Sequence, residues 1–351
     1  MKQEIFKDLV VLELASVLAG PLVGSFFSEL GARVIKVENP KTGGDVTRQW
    51  KLPSESKDEI SAYYASCNYG KEVQFLDLMN DRDAIVELIK SADILIQNFK
   101  YGDAEKFNLN YESVQKINSE IIYASLSGFG KSSKRIAYDV VLQAESGFMY
   151  MNGEPNSDPV KMPVALIDIL SAHQLKEAIL VALWKKEKTG EGSEVSCSLY
   201  EVALGSLANQ ATNWLMANHV PQPMGSLHPN IAPYGEQFKC ADGKAVVLAV
   251  GSDKQFQQLL AILDLSALKQ NEKYSTNKAR VENRQELALL LSSKIKEHKR
   301  KVFISMCIEK NVPAGAIRNL QEVFAEESAQ ELILKEGKTQ RVQTVNFKIN
   351  P

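Results

Sequence analysis

An α/β fold built on a mostly parallel sheet is predicted by three features of this 351-residue chain. Short β-branched runs recur from residue 8 onward, each of strand length. Helix-patterned segments separate them, which implies βαβ crossovers and therefore parallel pairing. A Pro- and Gly-rich stretch, "HVPQPMGSLHPNIAPYG", then marks a boundary before a second, smaller α+β pattern.

The elements follow in order. "DLVVLEL" reads as a strand, and "GPLVGSFFSELGA" has helical spacing, with Pro21 suited to a first turn and Gly31 to a C-terminal cap. "RVIKVE", "EVQFLDL", "ADILIQNF" and "EIIYASLSG" read as further strands, with helices over "DRDAIVELIKSA" and "NYESVQKIN". "DVVLQAESGFMYM" and "DILSAHQLKEAILVALWKKEKTG" continue as helices, the second closed by Gly190 and Gly192. "SEVSCSL" is a strand, and "YEVALGSLANQATNWLMAN" reads as one long helix. Beyond the boundary come the strand "KAVVLAVG", the helix "DKQFQQLLAIL", two basic amphipathic helices around 284–310 and the short strand "VPAGAI". This spacing predicts a large domain over 1–200 with a C-terminal return at 330–351, a helical linker at 201–224, and a small domain at 225–329.

Forty-one Lys and Arg against 43 Asp and Glu leave a net charge of -2, so no basic face for nucleic acid is expected. No run of apolar residues is long enough to span a membrane, and the N-terminus lacks a signal-peptide pattern, so a cytoplasmic protein is expected. Cys67, Cys197, Cys240 and Cys307 lie far apart with no zinc spacing and read as reduced thiols, so no metal is expected. The first turn, "ASVLAGP", lacks the glycine fingerprint of dinucleotide-binding enzymes, and Glu38 reads as a strand-end or salt-bridging acid.

One acid stands out. Asp168 interrupts the apolar run "VALIDIL", and burying an ionised carboxylate is costly unless it is paired. Read locally, Asp168 caps a helix beginning near Leu170, since Asp is a favoured N-cap.

Several segments in order resemble the family III CoA-transferases, which include formyl-CoA and carnitine CoA-transferases and are related to α-methylacyl-CoA racemase. They are "VLELASVLAGPLVGSFFSELGARVIKVENPKTGGDVTRQW", "NYGKEVQFLDL", "ADILIQNF", "YDVVLQAESGFM", "VALIDILSAHQLKEAILVALWKKEKTGEGSEVSCSLYEVAL", "HPNIAPYGEQF", "DGKAVVLAVGSDKQF" and "NVPAGAI". The resemblance spans nearly the whole chain. It implies a Rossmann-like large domain, an interlocked homodimer, and transfer of CoA between carboxylic acids, with an acyl-CoA and a small carboxylic acid as substrates. Coenzyme A is then a substrate in thioester form, and no separate cofactor is implied. In such enzymes the acid at Asp168 is the nucleophile, acting through mixed-anhydride and enzyme–CoA thioester intermediates.

The resemblance also implies CoA contacts. Leu18 and Ala19 match the turn after the first strand. Leu76, Asp77, Leu78, Met79, Asn98, Phe99 and Lys100 match later loops, and Lys106 stands where relatives often carry Arg. Asn39 stands where some members have Arg, and Arg135 is the candidate compensating cation. Ile136, Ala137, Tyr138 and Asp139 match the loop at the thioester end.

Racemases of the superfamily carry a His where Tyr138 stands and a Glu near Asp253. A tyrosine with a pKa of about 10 is a poor base beside a histidine at about 6.5, so Tyr138 is expected to line the site and the racemase reading is disfavoured. His173 is expected to pack on its helix, and His228 to hold a turn beside Pro229 and Pro233; His219 and His298 have no motif support. A CoA-binding protein without turnover is the remaining alternative, against which the intact Asp168 argues. Only Gly225 lies near the place of the glycine-rich loop of formyl-CoA transferases, which disfavours formyl-CoA and oxalate as substrates.

Overall fold

The apolar runs form six parallel strands in the computed structural model, which describes residues 4–349. These are β1 (Val10–Glu13), β2 (Arg33–Glu38), β3 (Glu72–Phe75), β4 (Ile94–Gln97), β5 (Ile122–Ser127) and β6 (Ser193–Ser198). Their order is β3-β2-β1-β4-β5-β6, and every pairing is parallel. The order reverses between β1 and β4, and in such sheets ligands bind beyond the carboxyl ends of the strands at that reversal.

The helices along this part of the chain are α1 (Ala19–Glu29), α2 (Ala62–Ala65), α3 (Arg82–Ser91), α4 (Asp103–Lys106), α5 (Tyr111–Gln115), α6 (Asp139–Glu145), α7 (Phe148–Met151), α8 (Leu166–Thr189), α9 (Leu199–Gly205) and α10 (Asn209–Ala217). Of these, α1 and α8 pack on one face of the sheet and α3 on the other. Successive strand residues point to opposite faces. Val11, Ile94, Ile96, Ile122, Ala124 and Leu126 therefore pack with Phe27 of α1 and with Leu175 and Ile179 of α8. Leu12, Leu95 and Tyr123 pack instead with Ile85 and Ile89 of α3.

Two segments depart from the expected helices. Gly147, at φ 88°, separates α6 from α7 inside "DVVLQAESGFMYM". The long helix expected after residue 199 is broken between α9 and α10, with Ala208 at φ 48°. Gly205 and Ser206 weaken helix propensity at that break.

Charge is also built into the core of this unit. The parallel register sets Glu13 of β1 beside Lys36 of β2. Lys36 Nζ lies 3.0 Å from Glu13 and 3.2 Å from Asp45, and Lys71 Nζ lies 2.7 Å from Glu13. All four side chains are buried. Burial pulls the Lys71 ammonium down to about 8, despite the attraction of Glu13. Gly24 on α1 leaves room for the cluster: a Cβ there would sit 1.9 Å from Glu13 Oε2 and 3.2 Å from Lys71 Nζ. Gly24→Ala is expected to lower stability by about 1–3 kcal/mol through overpacking. Since Ala is the better helix former by about 1 kcal/mol, a raised denaturation midpoint would show that the cluster yields instead.

A second unit comprises residues 150–160 and 222–330. It holds β7 (Tyr234–Lys239), β8 (Ala245–Ala249), α11 (Asp253–Ile262), α12 (Asn277–Glu282), α13 (Arg284–Ile295), α14 (Arg300–Glu309), β9 (Ala314–Ala316), α15 (Leu320–Val323) and α16 (Glu327–Gln330). Its antiparallel sheet runs β7-β8-β9. Val246 and Leu248 pack there with Phe256, Leu259, Leu291 and Phe303. Asp253 pairs at 2.7 Å with Arg280, whose buried side chain also donates to Ala232 O. His228 holds a turn: its Nδ1 accepts from Asn230 N, and its ring meets Tyr234 edge-on.

Residues from 331 onward group with the first unit and begin with the hairpin β10 (Ile333–Glu336) and β11 (Thr339–Val342). Glu29, at the end of α1, anchors this segment. It pairs with buried Arg341 and accepts from Thr344 N, Thr344 Oγ1 and Val345 N. No helix among the described residues is long and apolar enough to cross a membrane.

Candidate active site

The first turns of α1 and α8, together with the loops that precede α2 and α6, enclose a cavity of about 670 Å³ within the first unit. Five α8 residues contribute one stripe to it: Asp168, Ile169, Ala172, His173 and Lys176. Their spacing of three and four residues puts them on one helix face. Asp168 is the third residue of α8, which begins at Leu166 rather than near Leu170, so it does not cap the helix.

The cap comes from another part of the chain. Ala165 at the N-cap offers no side-chain bond, and Asp139 Oδ1 accepts instead from Ile167 N at 2.7 Å and Asp168 N at 3.3 Å. Asp139 is itself held by Gln143 Nε2. This arrangement satisfies the orphan N–H groups of the helix start. It also sets a second carboxylate near the first.

Asp168 is half-buried and, among the described residues, has no ion pair and no hydrogen-bond donor to its carboxylate. Burial, and then the charge of Asp139, raise its pKa from 3.8 to about 7. Tyr63 lines the same cavity against Trp50, with ring centroids 5.0 Å apart. Burial, followed by the charge of Asp168, pushes its hydroxyl up to about 12, so it stays protonated and able to donate. Leu18, the N-cap of α1, borders the cavity as well, bringing close a first turn whose N–H groups the helix leaves unpaired.

Val17 beside it sits at φ 72°, a left-handed conformation that a β-branched residue adopts only under constraint. Its N–H donates to Asp45 Oδ2 at 3.1 Å, and its carbonyl accepts from Cys67 Sγ at 3.4 Å. Asp45 belongs to the buried charge cluster with Glu13, Lys36 and Lys71, so that cluster fixes the backbone at the cavity wall.

A second cavity, about 570 Å³, lies beyond the carboxyl ends of β1 to β4, where the strand order predicts a ligand. It gathers Asn39, Leu76, Asp77, Leu78, Met79, Asn98, Phe99, Lys100 and Lys106. Asp77 is pinned by Lys41 and by Met79 N, which hold its carboxyl down at about 2. Asn98 clamps the turn after β1, accepting from Ser16 N and donating to Ser16 O. Glu38 is paired with Arg48 at 2.6 Å, as a salt-bridging acid would be.

Of the other residues expected at the site, Tyr138 and Asp139 line the first cavity with Asp168. Ala19, Arg135, Ile136 and Ala137 line neither cavity. Ala19 is buried in the core, and Arg135 pairs with Glu145 and stacks 3.9 Å over Phe129. His173 is exposed at the first cavity rather than packed. Val17, Tyr63 and Lys176 gave no warning in the sequence beyond, for Lys176, its spacing two helical turns after Asp168. The cysteines are free; burial pushes the Cys67 thiol up to about 11, which leaves it inert.

The sequence model of CoA-transferase family III matches residues 6–349. The chain belongs to this family. Among curated members it is 39% identical over 329 residues to the succinate–glutarate CoA-transferase of Agrobacterium fabrum, covering 91% of this chain and 82% of that one. It is 36% identical over 321 residues to the human succinyl-CoA:glutarate CoA-transferase, covering 90% and 72%. A crystal structure of a CaiB/BaiF family protein from Brucella suis superposes with a TM-score of 0.87 at 38% identity, covering 97% of this chain and 91% of that one. The protein is thus a family III CoA-transferase with that family's α/β architecture.

Proposed function

We propose that this CoA-transferase moves CoA from succinyl-CoA to a second dicarboxylic acid, with Asp168 as the nucleophile. The observation that carries the reading is the place of Asp168 in the wall of the first cavity, with no ion pair or hydrogen-bond donor among the described residues and with burial and Asp139 raising its pKa to about 7. A poorly solvated anion loses its charge when it forms a covalent bond, so the environment that penalises the free carboxylate favours attack. The names of the two curated relatives, which couple succinate or succinyl-CoA to glutarate, support the substrate class.

The reaction balances without a net proton. Ionised Asp168 attacks the thioester carbonyl carbon, the C–S bond breaks, and CoA thiolate leaves a mixed anhydride. The thiolate then attacks the Asp168 carbonyl carbon, which releases the first acid and leaves an enzyme–CoA thioester. The acceptor carboxylate attacks that thioester, re-forming an anhydride and the thiolate. Attack of the thiolate on the acceptor's acyl carbon gives the new acyl-CoA and restores Asp168. Tyr63 and the first turn of α1 are the candidate donors to the oxyanion formed at each attack. We assign the nucleotide end of CoA to the second cavity, where Lys100 and Lys106 have no ion pair among the described residues and suit phosphate.

Incubation with succinyl-CoA and glutarate is expected to form glutaryl-CoA and succinate in equal amounts, followed by chromatography. Hydroxylamine added during turnover should mark the peptide that contains Asp168. Hydrolysis alone, or epimerisation of a 2-methylacyl-CoA without any acceptor, would overturn the proposal.

A further inference from the structure

Among the described residues, buried basic side chains have carboxylate partners, with one exception. Lys36, Lys71, Arg280 and Arg341 each meet a carboxylate. Lys176 is only 7% exposed, yet among the described residues it has neither an ion pair nor a hydrogen bond. Its ammonium lies 5.2 Å from the centroid of the Phe26 ring, and it lines the cavity that holds Asp168. Burial of the side chain lowers its pKa, against the weaker pull of Glu29 and Glu177, so its charge is poorly compensated within the chain.

The carboxylates around it are engaged elsewhere. Glu29 is taken up by Arg341, Thr344 and Val345, and exposed Glu177 accepts from Gln174. The other cation of the cavity, Lys161, is exposed and turns its ammonium to the carbonyls of Met162 and Pro163. His173 is the remaining titratable neighbour on α8, and it also lines the cavity.

We propose that Lys176 binds the distal carboxylate of a dicarboxylic substrate while the other carboxyl group reacts at Asp168. This rests on the transferase reading above and names the side chain that selects its substrates. Asp168, Ala172 and Lys176 follow one another at intervals of four along α8, which places the Cα atoms of the two charged residues about 12 Å apart. Helical side chains lean toward the N-terminus, so Lys176 reaches back toward Asp168. Ala172 between them has only a methyl group, which leaves room for a short methylene chain. The same lysine serves both half-reactions, because donor and acceptor acyl groups occupy the same place in turn. A monocarboxylic acid of equal length sets a methyl group against the ammonium and leaves it unpaired, and is rejected for that reason.

The test compares isotopically labelled succinate with labelled butyrate as acceptors in wild type, Lys176→Met and Lys176→Arg, with saturating unlabelled succinyl-CoA as donor and label entering the acyl-CoA as the readout. In a double-displacement scheme kcat/KM for the acceptor does not contain the donor half-reaction, so the succinate-to-butyrate ratio isolates the distal contact. Wild type is expected to prefer succinate, and Lys176→Met to lower the ratio by about tenfold or more, the worth of a charged hydrogen bond. Lys176→Arg should keep most of the preference, which a purely structural role for the lysine stem would not predict. If Lys176→Met does not fold, Lys176→Gln supplies the same ratio. An unchanged ratio in the neutral variant overturns the proposal, as does a wild type that uses butyrate as readily as succinate; in that second case the transferase reading stands. Absence of CoA transfer to every acid removes both.

Discussion

Asp168→Asn is expected to abolish CoA transfer and at the same time to make the protein more stable at pH 8. The two effects have one cause. The folded state raises the Asp168 pKa from 3.8 to about 7, by burial and then by the charge of Asp139. Below pH about 4 the carboxyl is protonated in both folded and unfolded chains and contributes nothing to the difference. Between there and pH 7 the folded protein holds the proton more tightly than the unfolded chain, so stability falls as pH rises. Above pH 7 the penalty is complete, at most about 4 kcal/mol for a shift of roughly three units. Asparagine removes the charge and no existing bond, because the carboxylate has no hydrogen-bond partner to lose. Thermal denaturation of wild type and Asp168→Asn should therefore converge near pH 4, separate progressively between pH 4 and 7, and stay fully apart above pH 7.

Activity should move the opposite way with pH. Attack requires the ionised form, so kcat/KM for the acyl-CoA should rise through an apparent pKa near 7 in the wild type. An Asp168→Asn protein that retains activity, once deamidation is excluded by mass, would remove Asp168 from the chemistry. A variant that is inactive but less stable at pH 8 would mean that the carboxylate has a structural partner after all.

The sheet was legible because strand pattern and crossover spacing are local properties. The runs around Val11, Ile94 and Ile122 alternate between two buried faces, and helices of ordinary length separate them. Asp168 stands out in the sequence as an anomaly, an acid in an apolar run, and the nucleophilic role proposed for it comes from family resemblance. What surrounds it was not. Asp139 caps α8 from 28 residues away, and no N-terminal signature within α8 itself reveals that. Lys176 reads in sequence as one more charge on a helix, until the fold shows that its face is buried. The strain at Val17 depends on Asp45 and Cys67 reaching the same peptide from separate loops. The break at Ala208 leaves no mark in the sequence pattern, because apolar periodicity continues across it while the backbone conformation changes.

Glu13→Gln should be the most destabilising single change of charge in the first unit. Glu13 ends β1 inside the sheet and holds two buried lysines, Lys36 at 3.0 Å and Lys71 at 2.7 Å. With Asp45 the cluster has two positive and two negative charges, and glutamine would leave the cations in excess. Breaking a buried pair on one side costs about 3–5 kcal/mol, since the remaining charge stays desolvated. Lys71, already pulled down to about 8 by burial, would lose the carboxylate that supports its charge. A lysine whose folded pKa lies below its unfolded value depresses stability most at low pH, and the deficit shrinks as pH rises toward the unfolded pKa. The gap between Glu13→Gln and wild type should therefore narrow from pH 7 to pH 9.5 in denaturant titrations. Glu72→Gln supplies the comparison, because Arg33 and Glu72 pair at 2.8 Å at the edge of the same sheet with both side chains half exposed. Such a surface pair contributes little, so this variant should hardly change. The loss at Glu13 also reaches the active site. Lys36 restrains Asp45, and Asp45 holds the strained N–H of Val17 in the cavity wall, so kcat should fall under conditions where the variant remains folded. A Glu13→Gln protein as stable and active as Glu72→Gln would show that the buried cluster neither supports the sheet nor shapes the cavity.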